Sequence, residues 1–459
     1  MRVHEARLAS LIAAEGERFL ARHPKSAALA ARAAGSLVRG VPMPWMQRWA
    51  SPVPPFAVRA QGAEIEDADG AAYHDLALGD TAAMAGHAPE AVTRAVGAQL
   101  ARGSTTMLPS EAAIRAGEAL ASRFGLPLWQ LTLTATDANR FALRLARLVT
   151  GRPRILVHNW CYHGSVDEGF ATVAPGGMAG AAVARPGNLG PQVDPARTTR
   201  VAEINDLAAT EAALATGDVA AILVEPALTN IGIVLPDAGY HEALRALATR
   251  HGALLIVDET HTISVGPGGA TRAWGLAPDM LVIGKAIAGG LPGAAYGMGT
   301  ALAERIRGAI VLDQIDTGGI GGTVSGSVLS AVAIDATLNE VLVAAAYPQM
   351  IAKASRWAAG VEATIGRHGL PWSVTTLGAR AEYHFTPEAP RNGGSAAAAV
   401  HHGLERFLHL HALNRGLLLT PFHNMALFSP VTPDAAVDLH GEVFEEGVAA
   451  LLSGGALGA

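Results

Sequence analysis

Two charged residues that could carry out chemistry, Asp258 and Lys285, are 27 residues apart in a mostly apolar part of the chain. Asp258 ends the apolar run ALLIVDE, and Lys285 lies in the glycine-rich turn GKAIAGGLP. Only three of the 34 lysine and arginine residues are lysine, so a lysine in this turn is informative. An arginine stays charged, whereas a lysine amine can lose its proton and attack a carbonyl carbon. The two residues predict either carbonyl chemistry at Lys285 or a buried ion pair between them.

Five short apolar runs in the middle of the chain would position these two residues. WQLTLTAT, RILVHN, AAILVEP, ALLIVDE and DMLVIGK alternate with helical patterns from about residue 88 onward. Apolar strands that alternate with helices form a parallel sheet with both faces covered, and ligands bind outside the carboxyl ends of its strands. We therefore expect a group of polar residues to converge at one edge of the sheet: Thr136 with Asp137, Asn159, Glu225, Asp258 with Glu259, and Lys285.

The segments on either side of this alternating region have other patterns. Residues 1–35 read as an amphipathic helix, and AVRAQGAEIEDADGAAYHDL reads as a hairpin with its turn at DADG. Beyond about residue 330, a helix leads into the strand-like runs VTTLGARAEYHF and GLLLTP. We expect residues 1–75 to be a helix and hairpin that belong to a small domain, 76–335 to be a large domain, and 336–459 to be the rest of the small α+β domain.

Composition limits the class of protein. Half of the 459 residues are apolar and 16% are charged, as in a well-buried globular protein. A net charge of −6 without a basic stripe argues against a nucleic-acid partner. The single cysteine, Cys161, excludes an internal disulfide and fits a reducing compartment. No apolar run approaches the roughly 18 to 20 residues of a membrane span, so we expect a cytoplasmic protein without a membrane partner.

Two segments have the composition of phosphate sites. TATDANRFALRLAR, 134–147, places small and hydroxyl residues at a helix start, which suits an ordinary N-cap or a phosphate held by backbone amides and Thr136. GGIGGTVSG, 318–326, is a second glycine-rich loop before a helix. Neither has the spacing of a dinucleotide or nucleotide phosphate loop, so a nucleotide cofactor has no support.

The remaining candidate is Tyr162, in CYHG, which could stack on a flat ring or be a half-buried tyrosine. A planar cofactor with a phosphate, a basic ring nitrogen and an aldehyde would use all of these residues. Asp258 would keep the ring nitrogen protonated and Lys285 would bond to the aldehyde. This is a description of pyridoxal phosphate (PLP), although the residues alone leave the ion pair open as an alternative.

Several motifs also occur in the order and spacing of one protein family. ILVEPALTNIGIVLPDAGY, LLIVDETHT, GKAIAGGLP and GGTVSG resemble the class III (fold type I) PLP-dependent aminotransferases, in particular their glutamate-1-semialdehyde aminomutase-like branch, over roughly residues 35–450. The resemblance implies an α/β protein of the aspartate-aminotransferase-like fold, with a large PLP-binding domain on a mostly parallel, seven-stranded type of sheet and a smaller α+β domain. It also implies a homodimer with shared active sites.

The resemblance assigns roles to individual residues. Lys285 would form the Schiff base and shuttle a proton, and Asp258 would pair with the ring nitrogen. Tyr162 and Thr260 would lie on the two faces of the ring, and Thr323 would reach the phosphate of the neighbouring subunit. The other expected cofactor contacts are Ala135, Thr136, His163, Asn230 and His261.

Three of these positions differ from the usual family pattern. Ala135 stands in place of a glycine, which leaves less room for close approach. His261 stands where many relatives have glutamine or methionine, and it would either tune the acidity of the cofactor's phenolate oxygen or act as a hydrogen-bonded spacer. Relatives that use glutamate commonly carry a second glutamate at the position of Asn230. The absence of that glutamate resembles the aminomutase branch.

The expected substrate segment, GVPMPWMQRWA, also departs from the aminomutase. Arg48 is displaced from the position of the aminomutase's carboxylate-binding arginine, and Trp45, Met46 and Trp49 make the segment apolar. Trp45 is therefore a candidate for the substrate lining, and Arg48 and Arg380 are candidates for binding a carboxylate.

We predict an enzyme that transfers an amino group between a hydrophobic or aryl amine or amino acid and a keto acid or aldehyde by a ping-pong mechanism. No metal is expected. The alternatives are a glutamate-1-semialdehyde-type aminomutase, an amino-acid racemase or epimerase, and a PLP-binding protein without turnover.

Overall fold

The computed structural model describes residues 2–176, 180–191, 193–309 and 319–458. The chain divides into two compact units, and each unit combines segments that are distant in sequence. Unit 1 comprises Met1–Pro89, Pro348–Ala389 and Ala399–Ala459, and unit 2 comprises Glu90–Tyr347 and Pro390–Ala398.

The strands and helices are numbered in chain order. The strands are β1 (Arg2–Val3), β2 (Ala57–Gln61), β3 (Glu64–Asp67), β4 (Ala72–Asp75), β5 (Leu128–Thr132), β6 (Arg154–His158), β7 (Ala171–Val173), β8 (Ala182–Ala184), β9 (Thr199–Ala202), β10 (Val219–Val224), β11 (Leu254–Asp258), β12 (Met280–Ile283), β13 (Ala294–Met298), β14 (Ser373–Leu377), β15 (Arg380–His384), β16 (Leu417–Leu418), β17 (Met425–Leu427) and β18 (Leu457–Gly458). The α-helices are α1 (Glu5–Arg22), α2 (Pro24–Ala33), α3 (Glu90–Leu100), α4 (Glu111–Phe124), α5 (Ala135–Thr150), α6 (Pro195–Thr198), α7 (Leu207–Leu214), α8 (Tyr240–His251), α9 (Gly269–Ala273), α10 (Thr300–Ala309), α11 (Val328–Ala336), α12 (Tyr347–Arg367), α13 (Gly393–Ala399), α14 (His402–Leu413) and α15 (Asp434–Ser453).

Unit 2 is built on a seven-stranded sheet in the order β5-β13-β12-β11-β10-β6-β9. The pairs from β12 through β11, β10 and β6 to β9 are parallel, and β13 pairs antiparallel with both β12 and β5. Every residue of β10, β11 and β12 is buried, because helices cover both faces of the sheet. The parallel sheet predicted from the apolar runs is thus confirmed.

The register of β11 and β12 fixes the level at which these two strands end. Asp258 is opposite Val282 in the parallel ladder, and the backbone N–H of Glu259 continues the pairing by donating to the Val282 carbonyl at 2.8 Å. The two strands therefore finish side by side, and the residues that follow them lie at the same edge of the sheet.

Unit 1 contains two smaller sheets. One is four-stranded in the order β16-β4-β3-β2, and the other is three-stranded in the order β14-β15-β17. The predicted hairpin at DADG is present as β3 and β4. The preceding run is divided at Gly62, where φ is +62°, so that β2, β3 and β4 form a meander. This second turn was not predicted, although a glycine inside a strand pattern is a possible sign of a break.

Within the ranges given above, no single helix is long and apolar enough to cross a membrane. One bent pair, Val328–Val341 with Ala344–Arg367, meets the requirement only when its two parts are combined. The first part includes a π-helical turn at Thr337–Val341.

Candidate active site

Most of the polar residues predicted at strand ends do follow parallel strands of unit 2. Asn159 follows β6, Glu225 follows β10, Asp258 is the last residue of β11, and Lys285 follows β12 after Gly284. The exceptions are Thr136 and Asp137. They lie in the first turn of α5, because β5 already ends at Thr132.

Asp258 is a buried carboxylate with three hydrogen-bond donors. His163 Nδ1 lies 2.9 Å and Asn139 Nδ2 2.8 Å from Oδ2, and the backbone N–H of Thr260 donates to Oδ1 at 3.1 Å. Burial alone would raise the pKa of Asp258, but the hydrogen bond and charge of His163 hold it below its ordinary value. The carboxylate is therefore anionic although it is only 3% exposed.

His163 completes this buried pair from the loop that follows β6. Burial opposes its protonation, but the neighbouring Cys161 and the hydrogen bond with Asp258 raise the pKa of His163 well above its ordinary value. An anionic Asp258 and a cationic His163 satisfy each other in a site from which water is excluded. His163 was expected at the cofactor, and the structure places it directly on Asp258.

Asn139 was not identified from the sequence. It lies in α5, is fully buried, and its side-chain amide also donates to the His163 carbonyl at 3.2 Å. Its neighbours on the buried face of the helix include Ala138, Phe141 and Ala142. An asparagine on such an apolar helix face needs a buried partner, and this was the signal that could have revealed it.

Glu225 fixes two loops at the same edge. Its Oε1 accepts from the backbone N–H of Tyr162 at 3.1 Å, and its Oε2 accepts from the backbone N–H and the hydroxyl of Thr229 at 3.2 and 2.5 Å. Burial raises the pKa of Glu225, against the charge of His163 and these hydrogen bonds. Tyr162 is half-buried, and Asn230 follows Thr229 in the loop after β10. Glu225 thereby positions the loops that carry both residues.

The amino end of α5 lies against the loop that carries His163. Thr134 caps the helix by accepting from the backbone N–H of Asp137 at 3.1 Å, and the Thr136 hydroxyl accepts from the backbone N–H of Ser165 at 3.0 Å. Gly164 has φ of +73°, and a Cβ there would collide with Thr136. The glycine therefore permits the close approach of the two segments.

Lys285 emerges next to this helix end. The residue before it, Gly284, faces Ala135, whose Cβ would be 3.0 Å from a Cβ at position 284. Lys285 itself has φ of +49°, in the left-handed region, and begins a 3₁₀ helix over Lys285–Ala288. Its Nζ lies 2.7 Å from Nε2 of His261. The substitution of glycine by Ala135 is thus matched by a glycine opposite it.

Thr323 lies in a different part of unit 2. It is exposed and lines a cavity of about 450 Å³ together with residues of the 105–109 loop and the side chains of Trp129 and Tyr296. The glycine-rich loop that carries it is described from Gly319 onward, so Gly318, the first residue of the predicted motif, lies outside the described residues. Thr323 belongs to this cavity and not to the group of side chains around Asp258.

The three predicted substrate residues belong to unit 1. Trp45 packs edge-on against Phe422 with ring centroids 5.2 Å apart, and the Arg48 guanidinium lies over the same ring, 5.0 Å from its centroid. Arg380 opens β15, is fully buried, and donates to the Thr81 hydroxyl at 2.8 Å. The structure therefore groups Trp45 with an exposed Arg48 and encloses Arg380 within the unit.

The chain was compared with known proteins. The family model of the class-III aminotransferases matches residues 45–434. A glutamate-1-semialdehyde 2,1-aminomutase from Roseiflexus castenholzii (strain DSM 13941 / HLO8) is 36% identical over 382 residues, which are 82% of this chain and 85% of that protein. The crystal structure of a glutamate-1-semialdehyde aminomutase from Pseudomonas aeruginosa PAO1 is 47% identical, with a TM-score of 0.95 over 98% of this chain and all of that one. An omega-transaminase structure from Sphaerobacter thermophilus is 27% identical, with a TM-score of 0.83 over 94% of this chain and 99% of that one.

These relatives confirm the predicted fold type I architecture, and PLP is the cofactor. A lysine-to-alanine variant of the Pseudomonas aeruginosa protein was solved in complex with PMP, the amino form of PLP. The residues of this chain fit the same group: an anionic Asp258 suits a protonated ring nitrogen, Lys285 provides an amine for the aldehyde, and the amino end of α5 suits a phosphate. This chain belongs to the class III aminotransferases.

Proposed function

We propose that this protein transfers an amino group between a hydrophobic or aryl amine or amino acid and a keto acid or aldehyde, with Lys285 and Asp258 as its catalytic residues. The observation that carries the proposal is the buried, anionic Asp258 at the same sheet edge as the Lys285 amine. Bound PLP supplies an aldehyde that takes up the amino group and a protonated ring that accepts electrons when the substrate loses a proton.

Asp258 holds a proton on the ring nitrogen of the cofactor. Its pKa is lowered by the hydrogen bond from His163, so it remains an anion and attracts a positive ring. The donors from His163, Asn139 and Thr260 keep the carboxylate in one orientation. Because the group is buried, little water screens its attraction for the ring.

Lys285 moves the proton of the substrate. With PLP bound, Nζ of Lys285 would take the proton that leaves Cα of the substrate and would then donate it to the carbon that had carried the aldehyde oxygen. The backbone around Lys285 is tightly packed through Gly284 and Ala135, which restricts the positions from which the amine acts.

The remaining contacts follow from the placement of the loops. The backbone amides at Ala135 and Thr136 would bind the phosphate, and Tyr162 and Thr260 would hold the ring between them. Asn230 would contact the cofactor from the loop that Glu225 anchors. In a homodimer, Thr323 contributes a hydroxyl to the phosphate site of the partner subunit.

We also propose the larger organisation inferred from the sequence. Residues 76–335 form the PLP-binding domain, with 1–75 and 336–459 as the small domain. The protein acts in the cytoplasm, where its single cysteine, Cys161, stays reduced in the core.

The substrate preference rests on unit 1. Trp45 and Phe422 present aromatic surface next to the exposed Arg48, which suits an apolar substrate with or without a carboxylate. Arg380 is fully buried, so among the two arginines Arg48 is the better candidate for a carboxylate ligand.

A second candidate function is an aminomutase that acts on glutamate-1-semialdehyde. The similarity to proteins of that name, at 36% and 47% identity, favours it, as does Asn230 in place of a second glutamate. An aminomutase keeps the amino group within one substrate and has no need of an acceptor.

Acceptor dependence separates the two functions. PLP-loaded protein is mixed with an aryl amine and no keto acid, and the absorption spectrum of the cofactor is followed. An aminotransferase converts its cofactor to the amino form once and resumes only when a keto acid is added. Continuous conversion of glutamate-1-semialdehyde without an acceptor would instead support the aminomutase. A spectrum that stays unchanged with every amine tested would contradict both functions and would indicate a PLP-binding protein without turnover. The Lys285→Ala variant is the inactive control.

A further inference from the structure

The contact between His261 and Lys285 follows from the register of two adjacent strands. Asp258 is opposite Val282 in the β11–β12 ladder. His261 is three residues beyond Asp258, and Lys285 is three residues beyond Val282. The two side chains therefore leave the same sheet edge from equivalent positions, and His261 Nε2 lies 2.7 Å from Lys285 Nζ.

The backbone on both sides of this contact is fixed. His261 is only 6% exposed and precedes the 3₁₀ helix Thr262–Val265, with its carbonyl accepting from the backbone N–H of Ser264 at 3.3 Å. Lys285, which follows Gly284, has a left-handed backbone conformation. The hydrogen bond thus joins side chains that start from two ordered backbone segments.

The charge on Lys285 limits the ways in which this contact can form. Two positive charges at 2.7 Å would repel strongly, so an ammonium on Lys285 requires a neutral His261. The nearby Asp258 is already hydrogen-bonded to His163 and Asn139. The adjacent Glu259 accepts hydrogen bonds from Thr262, Ala270 and Thr271. When Nζ carries the positive charge it can only donate, and the lone pair of Nε2 then accepts the hydrogen bond.

We propose that His261 is a positioning residue that accepts a hydrogen bond from Lys285 and stabilises the ammonium that forms when Lys285 takes the substrate proton. In that step the Cα–H bond breaks, its electron pair stays with the substrate, and the lone pair of Nζ forms the new N–H bond. The positive charge that appears on Nζ is then met by Nε2 of His261, because a hydrogen bond to a charged form favours that form. The inference rests on the proposed function for the role of Lys285.

The small number of lysines provides a test without cofactor or substrate. Cofactor-free protein is treated with an amine-arylating reagent, and the labelling rate of each lysine is read by peptide mass spectrometry, with Lys25 and Lys353 as internal references. Loss of the acceptor in His261→Leu destabilises the ammonium, so we expect Lys285 to react about tenfold faster relative to the references. His261→Gln keeps an acceptor and should give an intermediate rate.

A matched control is His158, another buried histidine of unit 2, which is hydrogen-bonded to the Tyr240 hydroxyl at 2.8 Å. His158→Leu should leave the relative labelling of Lys285 unchanged. An unchanged Lys285 rate in His261→Leu, or an equal change in His158→Leu, would overturn the proposed hydrogen bond.

The role in proton transfer is tested in the PLP-loaded protein. His261→Leu should lower kcat about tenfold with little change in KM, and a substrate with deuterium at Cα should show a larger isotope effect on kcat than in the wild type. His261→Gln should recover part of the loss. An isotope effect that does not increase would overturn the role of His261 in this step. A wild-type protein that transfers no amino group would contradict the proposed function, while the labelling result would still decide the hydrogen bond.

Discussion

Two buried pairs of a carboxylate and a histidine can be compared, one in each unit. In unit 2, Asp258 and His163 are 2.9 Å apart, and in unit 1, Glu382 and His423 are 3.5 Å apart. Burial would raise the pKa of each acid, yet the histidine lowers it in both pairs, and the carboxylate in turn raises the pKa of each histidine against burial. By electrostatics alone the two pairs are alike.

The pairs differ in where the acid stands in its sheet. Asp258 ends a parallel strand, where ligands bind in sheets of this kind. Glu382 lies in the middle of β15, paired across the ladder with Thr375 on one side and Met425 on the other. A perturbed pKa therefore identifies a buried pair, and its position at a strand end indicates which pair is open to a ligand.

Removing the charge of Asp258 should have the largest effect. In Asp258→Asn the ring nitrogen loses its anionic partner, and we expect amino transfer to fall by about 1,000-fold, or roughly 4 kcal/mol in the barrier. The measurement is steady-state transfer with a good amine donor, together with the cofactor content from the absorption spectrum. Activity within tenfold of the wild type would show that Asp258 does not hold the ring proton.

The matching change in unit 1 should affect stability instead. In Glu382→Gln the cationic His423 loses its buried partner, which we expect to cost about 1 to 3 kcal/mol of unfolding free energy, with amino transfer per folded molecule within a few-fold of the wild type. Urea unfolding and the same kinetic assay measure the two quantities. A large loss of activity at unchanged stability would remove the distinction between the two pairs.

The smallest expected effect is the pH dependence of that stability difference. The pKa of Glu382 is held below its ordinary value of 4.5, so its contribution is present above pH 4.5 and is lost as the pH falls through the lowered pKa. The urea midpoints of wild type and Glu382→Gln should therefore differ at neutral pH and converge in acid. A difference that widens as the pH falls would mean that the carboxyl is neutral in the folded protein.

The sequence was sufficient for the parallel strands and for the position of Asp258 and Lys285 at the carboxyl ends of two of them. A charged residue that ends an apolar run is recognisable locally, since its burial requires a partner. The place of β13 between β5 and β12 was not predictable, because pairing of distant strands leaves no local pattern. Asn139 was missed because its partner Asp258 is 119 residues away, and the sequence of helix α5 does not indicate which residue the asparagine contacts.

The same limit applies to Arg48 and Arg380, the two candidates for binding a substrate carboxylate. Arg48 and Arg380 are equal as arginines in the sequence, but packing leaves the first exposed and the second fully buried. Exposure depends on how segments far apart in the chain pack together. Composition can identify candidates for a carboxylate ligand, and only the fold can rank them.

The left-handed backbone at Lys285 has a consequence for the balance between stability and activity. A glycine adopts φ of +49° without strain, whereas a residue with a side chain is destabilised there by about 1 kcal/mol or more. A position where the backbone favours glycine is thus occupied by the lysine that we propose as the catalytic amine. A glycine at 285 would relieve this strain but would remove the amine on which the proposed activity depends, so selection for stability alone would disfavour this lysine.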